Sequence, residues 1–176
     1  MRTIAIVPAA GTGKRLKASC PKPLVLINNV PLIVHTLRAL DSSGCFDEIV
    51  VVTSRGLIKK MEGLVKKYRI GLVSKVVEGG SVRARSVYNG LMAIKDKKAD
   101  VVLIHDGARP CIGKSVIKES IAQARRHGAS CVCVPVKPTI KSVAKGFITG
   151  TPDRKVIWEA QTPQAFSKEL ILKAYQ

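Results

Sequence analysis

The stretch PAAGTGKR, residues 8–15, places two glycines and two adjacent cations directly after a short apolar run, Thr3–Val7. Glycines allow backbone N–H groups to approach an anion, and the start of a following helix favours negative charge. Lys14, Arg15 and Lys17 add full positive charges. The stretch is therefore a candidate phosphate loop. The alternative is an ordinary strand-to-helix turn with solvated basic residues.

Two familiar phosphate-loop patterns do not fit this stretch. The P-loop pattern GxxxxGK[ST] begins with Gly and ends with Ser or Thr, whereas Pro8 and Arg15 occupy those positions. The dinucleotide pattern GxGxxG begins at Gly11, but Leu16 stands where its third Gly should be. The stretch shares with both patterns only the glycines and the following helix start, which favour an anion. It therefore predicts a ligand that carries phosphate but does not indicate which kind of ligand.

A carboxylate ends another apolar run. Asp106 comes directly after Val101–His105, and a carboxylate that faces a basic phosphate loop could hold a divalent cation. Mg²⁺ prefers one or two carboxylates together with substrate phosphates. The alternative is that Asp106 caps a helix or shapes a turn. Arg109 could pair with a neighbouring acid, and His105 is expected to be structural.

A glycine pair opens a helical pattern between these two stretches. Gly79 and Gly80 could allow a flat ligand, such as a base, to approach the backbone, and Ser86 could help to recognise it. The alternative is that Ser81 is simply the N-cap of the helix.

Lys22 lies between two prolines, Pro21 and Pro23. Proline restricts its own backbone and that of the residue before it, so we expect an extended, stiff loop from which Lys22 projects. A cation held in this way is preorganised for electrostatic catalysis. Together with Arg15 it predicts a clamp for a triphosphate, and a surface lysine is the alternative.

The elements that must position these residues alternate between strand and helix. The predicted strands are 3–7, 49–53, 72–77, 101–105 and 131–136. The predicted helices are 32–40, 57–68, 81–94, 114–126 and 167–175. Pro31 is expected as the first residue of the first helix, Ser167 is expected as the N-cap of the last, and the apolar set of the third is Ala84, Val87, Leu91 and Ile94. This order predicts an α/β fold, a Rossmann-like, mostly parallel sheet with helices on both faces. Ligands of such sheets bind beyond the carboxyl ends of the strands, so the three polar stretches should converge there.

Residues 137–156 break this alternation. The segment KPTIKSVAKGFITGTPDRKV has alternating side chains and a central Lys145-Gly146 turn, which predicts a β-hairpin that projects from the sheet. The alternative is a long surface loop. A loop of this length is unusual in a compact domain unless it serves as a binding or dimerisation arm.

Composition limits the remaining possibilities. The chain has 176 residues, which suits a single domain spanning 1–176. Its 30 Lys and Arg against 12 Asp and Glu give a net charge of +18, which raises the possibility of a basic nucleic-acid-binding module. The charges are dispersed and no standard nucleic-acid motif is present, so nucleic acid is disfavoured as a partner. No apolar stretch is long enough to span a membrane, and no secretory signal pattern is seen at the N-terminus, so we expect a cytoplasmic protein.

The five cysteines form no CxxC pair and predict neither a disulfide framework nor a zinc site. Cys131 and Cys133 should face the same side of a predicted strand. We expect them to be buried as small apolar residues.

Taken together, the motifs PAAGTGKRLKASCPKPL, EGGSVRARSV, HDGARP, TPDR and WEAQTPQ resemble the 2-C-methyl-D-erythritol 4-phosphate cytidylyltransferases of the non-mevalonate isoprenoid pathway. The resemblance runs from Ile4 to the end of the chain. It implies a fold of the nucleotide-diphospho-sugar transferase type and transfer of CMP from CTP to a polyol phosphate with release of pyrophosphate. It also implies Mg²⁺ or another divalent cation as cofactor, and a homodimer held through the arm.

The resemblance also assigns roles to individual residues. Arg15 and Lys22 would be the catalytic cations on the triphosphate, and Asp106 would serve the ribose, the metal and the substrate. The nucleotide would be bound by Pro8, Ala9, Ala10, Gly11, Thr12, Gly13, Gly80, Ser86 and Asp106. On the arm, Thr139 and Arg154 would reach the polyol phosphate of the neighbouring subunit, and Thr162 would make a further substrate contact.

The sequence also departs from this family pattern. Ser81 replaces an acid that is common in the family, Arg85 replaces another polar residue, and Gly107 stands where Ala is usual. Family members continue past the position of Gln176 with a segment that brings a strand and a lysine to the site, so we expect the site in this sequence to be incomplete. Ribitol-5-phosphate cytidylyltransferase, with the same fold and mechanism, is the nearest alternative. A nucleotidyltransferase for another base and sugar is a second, and the arm argues against it.

Overall fold

The computed structural model describes residues 2–11, 20–95 and 98–175. The strands are β1 (Thr3–Pro8), β2 (Leu26–Ile27), β3 (Val30–Pro31), β4 (Glu48–Thr53), β5 (Val73–Glu78), β6 (Val101–Ile104), β7 (Ala129–Pro135), β8 (Ser142–Ala144), β9 (Phe147–Gly150) and β10 (Trp158–Ser167). The helices are α1 (Leu32–Asp41), α2 (Ile58–Lys67), α3 (Arg83–Ala93), α4 (Lys114–His127) and α5 (Lys168–Ala174), with 3₁₀ turns at Lys22–Leu24, Arg55–Leu57 and Arg154–Val156.

The main sheet has six strands in the order β5-β4-β1-β6-β10-β7. β1 pairs in parallel with β4 and β6, and β4 pairs in parallel with β5, whereas β10 is antiparallel to both β6 and β7. The central strands are runs of β-branched and aliphatic residues that are buried along their whole length, as expected for strands covered on both faces. The predicted α/β class with a mostly parallel sheet is confirmed.

Two apolar cores lie on opposite faces of this sheet. Ala5 and Val7 of β1 point into a core formed with α1, α2 and α4, while Ile4 and Ile6 point into one formed with α3 and α5. The alternation of side chains along β1 therefore decides which helices each residue contacts. Among the predicted apolar residues of α3, Ala84 is exposed, so its assignment to the core face was wrong.

Strand β10 was not predicted from the sequence. Its residues WEAQTPQAFS contain glutamines and a proline rather than a β-branched run, and they nevertheless pair with strands on both sides. Pro163 lies within the shift of register between Ala160 and Gln164 on the β7 side, and its peptide bond with Thr162 is cis. A proline, which has no N–H to donate, is tolerated at such a break in the ladder.

The hairpin expected within residues 137–156 is present. β8 and β9 pair antiparallel, and the two residues between them, Lys145 and Gly146, both have positive φ (50° and 84°). This is the backbone conformation of the tight turns that match the twist of a hairpin.

Two local predictions need correction. Pro31 is the N-cap of α1 rather than its first helical residue, because it still pairs with Leu26. Cys131 is exposed and Cys133 half-buried, so the expected burial of this pair was wrong. They lie on β7, which is the edge strand of the sheet as described.

Among the described helices, none is long and apolar enough to cross a lipid bilayer.

Candidate active site

A cavity of about 490 Å³ opens at the carboxyl ends of β1 and β6. It is lined by Pro8, Ala9, Ala10, Gly11, Lys22, Pro23, Gly80, Ser81, Val82, Arg83, Ser86, Asp106 and Ala108. The three polar stretches found in the sequence thus converge at one edge of the sheet, as the parallel topology predicts. Thr12, Gly13 and Arg15 lie outside the described residues, so their predicted roles stay predictions.

Backbone hydrogen bonds fasten these stretches to one another. Ala9 N–H donates to the carbonyl of Val52 (2.7 Å), Gly79 N–H to Thr53 (2.7 Å) and Gly107 N–H to Pro8 (3.0 Å). These bonds continue the ladders of the parallel strands past the strand ends. The loops therefore start from fixed positions on a rigid sheet.

Two glycines lie where these loops approach neighbouring side chains closely. A Cβ on Gly79 would lie 2.7 Å from the Ala10 Cβ and 2.8 Å from the Ser86 Oγ. A Cβ on Gly107 would lie 2.6 Å from the Ile33 Cδ1 and 3.1 Å from the Ala9 Cβ. Gly107 stands where Ala is usual in the family that the sequence resembles. In this structure the side chain of Ile33 fills the space that an alanine methyl group would need.

Ser86 fixes the conformation of the glycine pair. Its side chain is buried, its Oγ accepts a hydrogen bond from Gly80 N–H (3.1 Å), and its hydroxyl lies 3.2 Å from the Val82 carbonyl oxygen that can accept its proton. α3 begins at Arg83, and its N-cap is Val82 with no side-chain capping bond. The alternative that Ser81 caps this helix was therefore wrong, and the hydroxyl of Ser86 in the first turn holds the loop instead.

Two guanidinium groups form ion pairs with the carboxylate of Asp106. Arg83 Nε lies 3.0 Å from its Oδ1, and Arg109 Nε lies 3.2 Å from its Oδ2. Arg83 also donates to the Gln164 Oε1 (3.3 Å), and Arg109 donates to the side-chain oxygen of Gln161. The suggestion that Arg109 pairs with a neighbouring acid is confirmed, and Arg83 is an additional partner.

Among the residues that line the cavity, Asp106 is the single carboxylate that could bind a divalent cation. Both oxygens of Asp106 already accept hydrogen bonds from arginines, and no group of three His, Cys, Asp or Glu that could hold a metal occurs in residues 2–11, 20–95 and 98–175. This donor set fits Mg²⁺ only where substrate phosphates supply most of its ligands, which is the usual arrangement for that ion.

Lys22 reaches the cavity from a short helical turn. Pro21 is extended (φ −53°, ψ 136°), but Lys22–Leu24 forms a 3₁₀ turn, so the predicted extended loop was wrong at Lys22 itself. Pro23 and Leu24 are buried while Lys22 is exposed. The apolar neighbours thus anchor the backbone of Lys22, and only its ammonium side chain is free to extend into the cavity.

His105 stabilises the turn that carries Asp106. Its Nε2–H donates to the carbonyl of Arg109 (2.9 Å), and its Nδ1 has no hydrogen-bond partner among the described residues. Burial lowers the pKa of His105 from its ordinary value of 6.5 and so disfavours the charged form of the ring. The structural role expected of His105 agrees with these contacts.

Comparisons with known proteins agree with one another. The family model described as 2-C-methyl-D-erythritol 4-phosphate cytidylyltransferase matches residues 3–176. The enzyme of that name from Shouchella clausii is 44% identical over 176 residues, which are 100% of this chain and 76% of the relative, and the one from Geotalea uraniireducens is 43% identical over the same shares of the two chains. The chain belongs to the 2-C-methyl-D-erythritol 4-phosphate cytidylyltransferase family.

Solved structures of 2-C-methyl-D-erythritol 4-phosphate cytidylyltransferases share its fold. The enzyme from Francisella tularensis superposes with a TM-score of 0.81 at 31% identity, covering 99% of this chain and 76% of the other. The 4-diphosphocytidyl-2C-methyl-D-erythritol synthase from Anaerococcus prevotii gives a TM-score of 0.85 at 28% identity, covering 99% and 74%. The chain is thus a cytidylyltransferase by family, and its predicted nucleotidyltransferase fold is confirmed.

The polyol-binding residues expected of this cytidylyltransferase do not all lie together. Thr162 is buried, and its Oγ1 accepts a hydrogen bond from the Asp106 N–H (3.2 Å), so it contacts the loop of the cavity. Thr139 and Arg154 are exposed on the arm, where Arg154 donates to the carbonyl of Lys137 (3.2 Å). Neither lines the cavity of its own chain.

Sequence reasoning missed three side chains of the cytidylyltransferase site. Arg83, Gln161 and Gln164 surround Asp106 through the bonds described above, but none was singled out. Arg83 gave a usable signal, because a cation in the first turn after a glycine pair faces the same sheet edge as the glycines. The glutamines gave none, since their strand was not recognised.

Proposed function

We propose that this cytidylyltransferase transfers CMP from CTP to the phosphate of 2-C-methyl-D-erythritol 4-phosphate and releases pyrophosphate. The observation that carries the proposal is the convergence of the β1 loop, the glycine pair and Asp106 on one cavity beside Lys22, in a chain of this family. The reaction joins two anionic substrates, so the site must above all neutralise and orient phosphate groups.

In the proposed reaction the substrate phosphate attacks the α-phosphorus of CTP in line. Negative charge gathers on the non-bridging oxygens and on the departing pyrophosphate, and Lys22 stabilises that charge from its anchored backbone. Arg15 has the same role by resemblance to the family. A Mg²⁺ ion held by Asp106 and the substrate phosphates supplies further charge neutralisation when bound.

The cytosine and ribose would occupy the side of the cavity near the glycine pair. Ala9, Ala10 and Gly11 present backbone rather than bulky side chains to the nucleotide, and Gly80 forms part of the cavity wall. Ser86 acts on this wall by holding the Gly80 N–H. Asp106, supported by Arg83 and Arg109, orients the ribose or the acceptor.

We also propose a homodimer formed through the arm. Apolar side chains on the arm are strongly exposed, with Phe147 at 77% and Ile148 at 66%, and a second subunit would bury them. Thr139 and Arg154 would then contact the polyol phosphate in the neighbouring site. We place the enzyme in the cytoplasm, where CTP is available and free thiols such as those of this chain persist.

The test is release of pyrophosphate with Mg²⁺ and CTP, with 2-C-methyl-D-erythritol 4-phosphate or ribitol 5-phosphate supplied separately. We expect turnover with the methylerythritol substrate alone. Replacement of Lys22 by Met should reduce kcat by roughly 100-fold or more, because it removes a preorganised cation. The matched control is Lys59→Met, which removes an exposed lysine on α2 outside the cavity lining. Turnover with ribitol 5-phosphate only, or with neither acceptor, would refute the proposal.

A further inference from the structure

Two thiol groups face each other on the edge strand β7. The Sγ atoms of Cys131 and Cys133 are 3.7 Å apart, and both side chains lie on the same face because the two residues are separated by one position in an extended strand. Cys131 is exposed and Cys133 is half-buried, so the pair is open to solvent. The proposed reaction uses neither of them.

The spacing of the two sulfur atoms matches a chelate better than a disulfide. Two thiolates bound at about 2.3 Å to one tetrahedral zinc-sized ion stand about 3.8 Å apart. In contrast, residues i and i+2 of an extended strand have Cα atoms about 6.6–6.8 Å apart, at the upper limit of what a disulfide spans.

The groups around the pair are polar but uncharged, and of the two nearest only the carbonyl oxygen of Gln161 could bind a cation. Cys131 Sγ lies 3.7 Å from the Gln164 Nε2 and 3.9 Å from the carbonyl oxygen of Gln161. No third Cys, His, Asp or Glu joins the pair to make a metal-binding group within the part of the chain that the structure describes. A cation bound here would therefore keep open positions for water, unlike the closed four-ligand sites that stabilise folds.

We propose that Cys131 and Cys133 form an exchangeable dithiolate site for a thiophilic divalent cation of the Zn²⁺ and Cd²⁺ class. Thiolate ligands select soft cations, whereas the oxygen donors at Asp106 suit Mg²⁺, so the two cations would not compete for one site. Binding displaces the thiol protons and forms two metal–sulfur bonds without any change of oxidation state. The site lies next to the network around Asp106, because Gln164 also accepts the hydrogen bond from Arg83.

The test is a titration of the reduced chain with Cd²⁺ in the presence of excess Mg²⁺, followed by the thiolate-to-cadmium charge-transfer absorption in the ultraviolet. We expect saturation at about one Cd²⁺ per chain, with the band lost in Cys131→Ser and in Cys133→Ser. Cys111→Ser, which removes an exposed cysteine that is not in the pair, should keep the band. Absence of the band in the unmodified chain, or its retention in both serine variants of the pair, would overturn the proposal, as would an equal loss in Cys111→Ser.

A second measurement avoids any dependence on how the variants fold. The unmodified chain is alkylated with iodoacetamide with and without Cd²⁺, and the modified cysteines are located by peptide mass spectrometry. Cd²⁺ should protect Cys131 and Cys133 while Cys111 remains reactive. Equal alkylation of the pair in both samples would contradict the site.

Discussion

Arg83 Nε lies 3.0 Å from Oδ1 of Asp106, and this pair joins the first turn of α3 to the loop after β6 across the mouth of the cavity. Arg109 holds the other carboxylate oxygen, so the carboxylate is fixed from two sides. The side chain of Asp106 remains 30% exposed, which leaves it accessible to a ligand. Arg83 is therefore expected to position Asp106 rather than to act alone.

Replacement of Arg83 by Gln should lower kcat/KM by roughly 10- to 100-fold, the usual effect of losing a group that orients a ligand-binding side chain. Steady-state kinetics with CTP and the acceptor measure it, and Arg126→Gln, an exposed arginine near the end of α4, is the control. Because Arg83 acts through Asp106, the same change should have little further effect in an Asp106→Asn background. Full additivity of the two substitutions would mean that Arg83 contacts substrate independently.

Replacement of Ser86 by Ala should destabilise the fold by about 1–2 kcal/mol, since it removes the only side-chain partner of the Gly80 N–H in the described structure. The KM for CTP should rise as well, because the glycine loop loses its anchor. Chemical denaturation and initial rates measure the two effects. Ser81→Ala in the same loop is the matched control, and it should leave stability unchanged because Ser81 caps no helix. Equal destabilisation by both substitutions would refute this account of the loop.

Replacement of Gly107 by Ala should destabilise the fold by about 1–3 kcal/mol, because the new methyl group would collide with the Ile33 Cδ1. Shortening that side chain in the double variant Gly107→Ala/Ile33→Val should recover part of the loss. Denaturant midpoints of the single and double variants measure this coupling. If the double variant is less stable than Gly107→Ala alone, the collision with Ile33 is not the cause of the destabilisation.

The folded protein should lose stability in mild acid through His105. Its pKa is lowered by burial, so the folded form binds the proton less readily than the unfolded chain. The contribution of neutral His105 to the free energy of unfolding is complete above pH 6.5. It decreases as the pH falls below that value towards the pKa of the folded state, with a slope of at most about 1.4 kcal/mol per pH unit. Urea denaturation from about pH 5 to about pH 7 should show this slope in the unmodified chain and a shallower one in His105→Gln. Identical slopes would exclude His105 as the source.

Replacement of Phe147 by Asp should weaken self-association by roughly 100-fold or more, because a charge would replace an apolar side chain in the proposed dimer contact. Sedimentation velocity over a range of protein concentrations measures it. Ser142→Asp introduces the same charge on the neighbouring strand of the hairpin and should have a smaller effect. A chain that is monomeric without any substitution would rule out the arm as a self-association surface.

Much of the fold could be predicted because the central strands are apolar runs separated by helical patterns. The runs at β1, β4 and β6 are buried on both faces, so their hydrophobicity alone identifies them. β10 could not be predicted in this way, since its pairing with β6 and β7 is a tertiary property that overrides a sequence poor in β-branched residues.

The site was predictable only in outline. The rule that ligands bind at the carboxyl ends of parallel strands brought the β1 loop, Gly80 and Asp106 together correctly. The partners of Asp106 were not predictable, because Arg83 and Gln164 are 81 positions apart in sequence and meet through the sheet order alone. The turn at Lys22 was mistaken because proline restricts the residues around it without excluding a short helical turn.

The insertion of β10 between β6 and β7 has a consequence for chain synthesis. In the described structure β7 pairs with β10 alone, and β10 follows it in the sequence after the whole arm. On the ribosome, β7 must therefore wait with an unpaired edge until β10 has emerged. Exposed edges of this kind promote aggregation of nascent chains. The yield of folded enzyme should therefore depend on how long β7 stays exposed before β10 has emerged and paired with it.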